Sequence, residues 1–525
     1  MPGRRLSTVE RRLAEFWDHP PAEFRRPLLR QLRVEGGIGL RGISRLVVPV
    51  LYPLTVVCGR NGVGKSTVLG LAALSAKPPM DWRVYWGNAR PRTQPNARAR
   101  YQFRDFFHRP RGAEPLDGLR LTWVLMDQGN EIEVVEQMVA GRWSRVGNAG
   151  RPRRLGDRPE REIDFIPMAR VLPANEFGAL RAAFNGRRTE NIEPLSADSI
   201  GKLSYIMGRP YNRAETHFIR GLALANVTCG ATYSGFDMGG GESSVIVLLS
   251  RLQAIPVGGL VVVEEIELGL HAEAQVRLME VLLEFCLNRR LQIICTTHSE
   301  VVIDAVPRQA RILLRTSGQD HEALNSVSTR FAVHEMIGQA QPELIVYAED
   351  KFACMLVEEA LVAPHRSRIA VRDVGSNVTL ARQAIAHLKF DTVCSSLSMF
   401  DGDCTEIEIR RWLREERAER PINPDWLILP ADGLAPEAWI IRELAIPAYR
   451  DALATALNCA PGEAEEHVRA MAVQQDHHDC GFALSQRTGL NCDDARRRIV
   501  RSVARTHPAL QPMRDKIAEL LGEGG

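Results

Sequence analysis

The chain has 525 residues, 45% of them hydrophobic, and a net charge of +3, which excludes fibrous and disordered classes and leaves room for two to four ordinary cores. No apolar run is long enough to cross a membrane, and the N-terminus, "MPGRRLSTVERRLAEFW", lacks the apolar centre of a signal peptide, so a cytoplasmic protein without a membrane partner is expected. Ten cysteines with no CxxC pair predict reduced, mostly buried thiols and no structural metal.

The first strong signal is "YPLTVVCGRNGVGKSTVLGLAAL". An apolar strand, Leu54 to Cys58, feeds a loop and then a helix, the context that a GxxxxGK[ST] match requires. Gly59, Asn61, Gly62 and Gly64 shape a loop whose N–H groups converge on phosphate oxygens. Lys65 reaches the β and γ phosphates, Ser66 is placed to hold magnesium, and Thr67 completes the ATP-binding set.

Two arginine-rich stretches follow, "NARPRTQPNARARYQFR" and "GRWSRVGNAGRPRRLGDRPER". Their Arg, Tyr and Trp residues fit a nucleic-acid-facing surface. Only six of the 67 basic residues are lysine, however, and this arginine bias favours reading them as ordinary loops. Between Gln102 and Met238 there are no sustained heptads, which excludes a long coiled-coil arm and predicts a compact insertion over about residues 105–235.

In "FDMGGGESS", Gly239, Gly240 and Gly241 precede Glu242 and Ser243 at a helix start, making an anion-binding N-terminus. In "GGLVVVEEIELGLHAEAQ", a buried strand, Leu260 to Val263, delivers Glu264 and Glu265 to one end of a sheet. In a phosphate-hydrolysing ATPase the first acid supports the magnesium shell and the second polarises the attacking water. "LQIICTTHSE" is another apolar strand, leading to His298 at the place of a γ-phosphate sensor.

Together these motifs resemble the ABC-type ATPase head of the SMC-like group. Residues 238–242 read MGGGE, with Gly239 where a serine is common, and Glu264 stands where an Asp is usual. The resemblance makes Gly269, Leu270 and His271 the D-loop and Gln102, in "ARYQFRDFF", the Q-loop glutamine. It also implies a homodimer or larger even assembly, because in such heads the signature loop completes the ATP site of a partner subunit.

After a polar stretch near residues 316–340, "QPELIVYAEDKFACMLVEEALV" predicts a strand from Leu344 to Ala348, Glu349 at its end, and a helix. "RIAVRDVGS", "NVTLARQAIAHLKF" and "CSSLSMFDGDC" continue a βαβαβ pattern, so a parallel sheet with ligand chemistry at its carboxyl ends is expected. Glu349, Asp401 and Asp403 gather there. Carboxylates about 4 Å apart repel by several kcal/mol at intermediate dielectric, and Mg2+ or Mn2+ removes that conflict. In "QQDHHDCGFAL", Asp476, His477, His478 and Asp479 are consecutive, a poor geometry for ligands, and a cap or dimer contact is expected instead.

A Glu after the first strand and a later DxD resemble the TOPRIM domain. Its position behind an ABC head with an EE pair resembles the OLD (overcoming lysogenization defect) family of nucleases, and the Gabija and PARIS defence proteins, from about residue 30 to beyond 440. Glu437 in "LPADGLAPEAW" matches the family's Pro-Glu element. Ala353 stands where the family often has a further acid. The late basic residue is left open between Lys516 and an arginine such as Arg442.

The resemblance implies an α/β protein with an ABC ATPase domain over 1–336 and a TOPRIM nuclease domain with a helical extension over 337–525. Glu265, His298, Glu349, Asp401, Asp403 and Glu437 would be catalytic. Metal would sit at Ser66 and Glu264, and at Glu349, Asp401 and Asp403. The implied activity is an ATP-hydrolysing, metal-dependent endonuclease cutting DNA in bacterial antiviral defence, alongside a second defence protein. The alternatives are a nuclease acting on tRNA and a non-nucleolytic ATPase switch that binds a partner protein.

Overall fold

The computed structural model describes residues 7–21, 23–79, 101–108, 112–113, 115–146, 152–153, 158–171, 182, 184, 191–219, 222–317, 320–338, 341–390, 394–415, 423–430, 432–474 and 479–523. The chain divides into two compact units, Arg5–Gln339 and Ala340–Gly525.

In the N-terminal unit, β1 (Leu28–Leu40) and β2 (Ile43–Pro49) form a hairpin, and β3 (Leu54–Gly59) leads through the glycine loop into α1 (Lys65–Ala73). A single helical turn, α2 (Phe103–Phe106), precedes a meander of β4 (Arg120–Asp127), β5 (Asn130–Val139), β6 (Arg142–Val146) and β7 (Pro152–Arg153). Next come β8 (Ile163–Ile166), β9 (Asn191–Pro194), β10 (Arg213–Ile219), β11 (Leu222–Cys229) and β12 (Ala231–Ser234). The signature helix α3 (Gly240–Ala254) is followed by β13 (Leu260–Val263), α4 (Ala272–Arg289), β14 (Gln292–Thr296), β15 (Arg311–Ser317) and β16 (Asp320–Asn325).

These strands build three sheets, ordered β2-β1-β4-β5-β6-β7, β12-β11-β10-β9 and β16-β15-β3-β14-β13-β8. In the third, β15, β3, β14, β13 and β8 are parallel, and β16 closes the edge antiparallel. Every residue of β3, β13 and β14 is buried, the unbroken apolar run that a strand covered on both faces needs. Alternation assigns the faces: Val56, Val261 and Val263 join the core under α3 and α4, whereas Val57, Leu260 and Val262 join the core shared with α1 and the antiparallel meander.

Of the stretch of about 105–235, expected as a compact insertion, β9 to β12 form a sheet of their own, whereas the earlier strands join sheets of the head. Among the latter, β4 pairs with β1, and β8 pairs in parallel with β13. Short apolar strands such as Ile163–Ile166 carry no periodic signal, so nothing local marks them as part of a sheet whose other strands lie about a hundred residues away.

The C-terminal unit is a four-stranded parallel sheet ordered β18-β17-β19-β20, with β17 (Leu344–Ala348), β18 (Ile369–Asp373), β19 (Ser395–Asp401) and β20 (Asp425–Leu429). This is the expected α/β architecture. Helix α5 (Lys351–Ala360) covers one face, packing on Leu344, Val346 and Ala348, and α6 (Asn377–Phe390) covers the other over Ile345 and Tyr347. The opposite faces follow from the order, since β17→β18 and β18→β19 run in opposite directions across the sheet and each crossover is right-handed.

A short helix α7 (Pro436–Glu443) and a helical extension through Leu520 complete the α5 face. In that extension α8 (Cys492–Ala504) sends Arg501 and Arg497 to the fully buried Glu359 of α5, at 2.8 and 3.1 Å. All ten cysteines are unpaired. Among the described residues, no helix is long and apolar enough to cross a membrane.

Candidate active sites

In the N-terminal unit three strand ends converge. Strand β14 lies between β3 and β13, so His298, just past β14, stands between the P-loop and the acid pair. Gly64, at φ +103°, turns the loop into α1. The Lys65 ammonium donates to the carbonyls of Gly59 and Arg60, both at 2.9 Å, folding the lysine back over the loop it would release to meet phosphate. Burial lowers its pKa, and Glu265 and Glu267 pull it back up. Asn61, Gly62 and Ser66 are exposed along the same loop, and Thr67 is buried beneath it.

The acid pair is held by its backbone. Glu265 sits at φ +42°, a left-handed conformation that costs a non-glycine residue about 1–2 kcal/mol. Thr296 Oγ1 accepts its N–H at 2.9 Å, and Arg170 donates to its carbonyl at 2.7 Å. Glu264 receives the N–H of Met168 on Oε2 at 3.3 Å.

Arg170 is the residue that sequence reasoning missed. Its buried guanidinium also donates to the carbonyls of Glu264 and Pro167 and, at 2.9 Å, to Ser244 Oγ on α3. Burial lowers its pKa to about 10, with Glu267 and Glu264 opposing, so it remains a cation at neutral pH. One side chain thus ties the acid pair to the signature helix.

Glu267 is a second omission, visible only as a third acid in "EEIELGL". Its Oε1 accepts the His298 N–H at 2.6 Å, while its buried Oε2 has no hydrogen-bond partner among the described residues. Burial and Lys65 lower the His298 pKa, against Glu267 and Glu265, which favours the neutral imidazole.

The glycine loop of residues 238–242 meets the turn at Gly269 of its own chain. A Cβ on Gly241 would lie 2.0 Å from the Gly269 carbonyl, so only glycine permits this approach, whereas Gly239 faces open space. The Glu242 carboxylate turns inward, accepting Tyr211 Oη at 2.6 Å, Tyr233 Oη at 2.7 Å and Arg209. What remains outward is the start of α3, with Gly239 exposed and Gly240 half-buried. His271 caps α4, accepting the Ala274 N–H at 3.3 Å, and Leu270 accepts Gln275 at 2.8 Å.

Gln102 is placed differently from its expected role. Its N–H donates to Asp105 at 2.7 Å, and it lines a cavity with Ala76 and Lys77, beyond the carboxyl end of α1. Nucleotide phosphates meet the amino end of that helix, about 13 Å away for nine residues.

In the C-terminal unit, Glu349 and Asp401 end the adjacent parallel strands β17 and β19. Chain connectivity reverses direction between these strands, so the site lies at a topological switch point, where open α/β sheets leave a crevice. The two carboxyls face each other closely enough to share a hydrogen bond, and Glu349 disfavours ionisation of Asp401. Burial pushes the Asp401 pKa far above the carboxylate range, with Glu349, Asp350 and Glu437 adding repulsion. Burial also raises Glu349, against the bond from Asp401. Asp403 acts on Glu349 from the same turn, and Glu437 is buried in the first turn of α7.

Two polar neighbours of this pair were not foreseen. Asn377, opening α6, donates to Glu349 Oε2 at 2.5 Å, and its own Oδ1 is buried without a partner among the described residues. Asp350 caps α5 by accepting the Ala353 N–H at 2.8 Å, and Ala353 is buried in the core, facing away from the acids. Gly402 is needed for close approach, since a Cβ there would lie 2.2 Å from the Pro430 carbonyl.

Lys516 is engaged by Asp425 and Glu519, and Arg442 by Asp432 and Glu443. Asp476, His477 and His478 lie outside the described residues. Among the described residues, no group of three His, Cys, Asp or Glu side chains is arranged around a common metal position.

Comparison with known proteins bears on the first of these sites. The family model "AAA domain, putative AbiEii toxin, Type IV TA system" matches residues 234–304, the span holding the glycine loop, the acid pair, the Gly269 turn and His298. Residues 234–304 are thus similar to an AAA-type ATPase segment. Among solved structures the chain is similar to the SMC head domain from Thermotoga maritima, at 14% identity and TM-score 0.35, over 57% of this chain and 98% of that one. It is likewise similar to the Smc head domain with an extended coiled coil bound to the C-terminal domain of ScpA derived from Pyrococcus furiosus, at 10% identity and TM-score 0.36, over 57% and 96%. No curated protein matches the chain.

Proposed function

We propose that the protein is an ATP-hydrolysing, divalent-metal-dependent endonuclease of OLD type, cytoplasmic and active in bacterial antiviral defence, with two ABC heads sharing their ATP sites in a homodimer or larger even assembly. The observation that carries the nuclease reading is the close Glu349–Asp401 pair at the switch point, on which the charges of Asp350, Asp403 and Glu437 also act. Half-buried carboxyls crowded at a strand-end crevice are poor for stability, and a cation supplies the reason to keep them.

The donor set is all oxygen, which suits magnesium or manganese. The orphaned Asn377 Oδ1 beside Glu349, and the orphaned Glu267 Oε2 beside the acid pair of the head, fit polar sites meant to meet water or an ion. Glu349, Asp401 and Asp403 would hold the metal of the nuclease site, and Ser66 and Glu264 that of the ATP site. When bound, such ions stabilise charge on phosphoryl oxygens.

The chain's own residues do the rest. Lys65 exchanges two loop carbonyls for phosphate oxygens, Glu265 orients and polarises water, and neutral His298 offers a hydrogen bond where the terminal phosphate ends. Start-of-helix N–H groups at Gly239 to Gly241 would meet the nucleotide of a partner head.

A second reading is a non-nucleolytic ATPase switch whose C-terminal unit binds a partner protein. It is favoured by the lack of a ready-made three-ligand cluster among the described residues. The family name of the matched segment, with its putative toxin, fits a defence role under either reading.

The test is cleavage of supercoiled plasmid and of total tRNA by the purified full-length protein, with magnesium or manganese and with or without ATP, beside Asp401→Ala. Cutting of DNA that needs metal and disappears in the variant is the expected result; cutting of tRNA alone transfers the site to RNA. ATP hydrolysis with neither substrate cut would leave the switch reading.

A further inference from the structure

The described ends of the two arginine-rich stretches, which the sequence favours as ordinary loops, line one cavity, while residues 88–100, 147–151 and 154–157 lie outside the described residues. Tyr101, Phe103 and Arg104 come from the end of the first, and Arg142, Trp143 and Arg158 from the second, and all six line one cavity of about 570 Å³. That volume lies within the range of ligand clefts, about 300–1,000 Å³. We propose that this cavity binds a nucleotide unit, its base against the aromatic wall and its phosphate on Arg104 and Arg142.

The wall is built for stacking. Phe103 and Trp143 are half-buried, with ring centroids 4.9 Å apart, and Tyr101 is fixed behind them because its hydroxyl accepts the Phe165 N–H at 2.9 Å. Met138 adds a polarisable surface on β5, and Gln102 brings an amide able to donate to and accept from a base edge. A flat aromatic ligand gains dispersion and π-stacking there, about 1–3 kcal/mol per base.

The charges select an anion. Glu136, the one carboxylate among the described lining residues, is neutralised by Arg158, which donates to it at 2.9 and 2.6 Å and rests 4.8 Å over the Trp123 ring. Lys77 is paired with Glu160 at 3.3 Å. Arg104 and Arg142 are exposed and make no ion pair among the described residues, so two forked cations remain for phosphate oxygens. The cavity adjoins the carboxyl end of α1, away from the P-loop, and it lies wholly within the N-terminal unit. The inference therefore stands or falls independently of the nuclease reading.

A free nucleotide and the end of a single strand present the same chemistry, and calorimetric titration of the full-length protein separates them. The probes are AMP, GMP, CMP and UMP in one arm and a 5′-phosphorylated five-residue oligothymidylate in the other, in magnesium-free buffer. Binding in the first arm identifies a free nucleotide, and binding in the second alone a strand.

In either case Trp143→Ala should weaken binding roughly 5- to 150-fold. The double variant Arg104→Gln with Arg142→Gln should weaken it at least about tenfold while leaving the melting temperature unchanged, because both side chains are exposed and unpaired. Binding by neither probe, or binding undiminished in the double arginine variant, overturns the proposal.

Discussion

Arg170 donates to Ser244 Oγ at 2.9 Å while its other nitrogens hold the Glu264 and Glu265 carbonyls, so one side chain joins helix α3 to the acid pair. Removing a buried donor leaves several acceptors unsatisfied, about 1–3 kcal/mol each before relaxation. Arg170→Ala should therefore lose about 2–4 kcal/mol of stability in the N-terminal unit, seen by urea unfolding, and most ATP hydrolysis. Arg170→Lys should not restore hydrolysis, because an ammonium cannot replace a planar fork reaching four acceptors. Full activity in the lysine variant would show that charge alone matters.

Glu265 is clamped on both sides by Thr296 and Arg170. A group that polarises water contributes about 10²–10⁴-fold, so Glu265→Gln should lower ATP turnover at least a hundredfold with ATP binding retained. If the heads dimerise around ATP, this variant should accumulate as an ATP-bound dimer on size-exclusion chromatography. Turnover within tenfold of wild type would move the role elsewhere, with Glu267 next in line.

Two glycines of the 238–242 loop, Gly239 and Gly241, should respond differently to one methyl group. Gly239 faces open space at φ −67°, so Gly239→Ala should change the melting temperature little. Gly241→Ala drives a Cβ into the Gly269 carbonyl and should cost about 1–3 kcal/mol and weaken ATP-dependent association. Equal melting curves for the two variants would contradict the packing of this loop on the turn at Gly269.

Crowded acids predict a trade between stability and function. Asp401→Asn keeps the shape and hydrogen-bonding capacity beside Glu349 but removes an ionisable group. Metal-free protein should be stabilised by about 1 kcal/mol, and any metal-induced rise in melting temperature should vanish along with cutting. A metal-induced rise that persists would place the ion elsewhere.

An acid limb of stability should come from Glu359. Burial alone would raise its pKa, but the bonds from Arg501 and Arg497 and the field of Arg366 hold it below the ordinary value. A folded pKa below the unfolded one means full stabilisation above the unfolded pKa of about 4.3, lost as pH falls through the folded value. Glu359→Gln should lose about 1.5–3 kcal/mol at pH 7, and the gap to wild type should narrow below about pH 4 in chemical unfolding of the C-terminal unit.

Where chemistry sits next to its own strand, it was legible in the linear chain. Leu344–Ala348 forms β17 and Leu260–Val263 forms β13, as their apolar runs predicted, and each hands its acids to a strand end because strand, loop and helix are contiguous. Composition and periodicity depend on near neighbours, so the strand ends that lead to Lys65, Glu264, Glu265, Glu349 and Asp401 could be placed without the fold. The grip on those residues comes from far along the chain. Arg170 reaches Ser244 across 74 positions and Glu265 across 95, Asn377 reaches Glu349 across 28, and Gly241 touches Gly269. A single arginine, asparagine or glycine carries no periodic mark, and whether an arginine run faces solvent or closes a cavity depends on which strands pair. Only chain topology brings Arg104 to Arg142 and sets Glu349 against Asp401, because contacts between distant segments arise from packing and leave no local pattern to read.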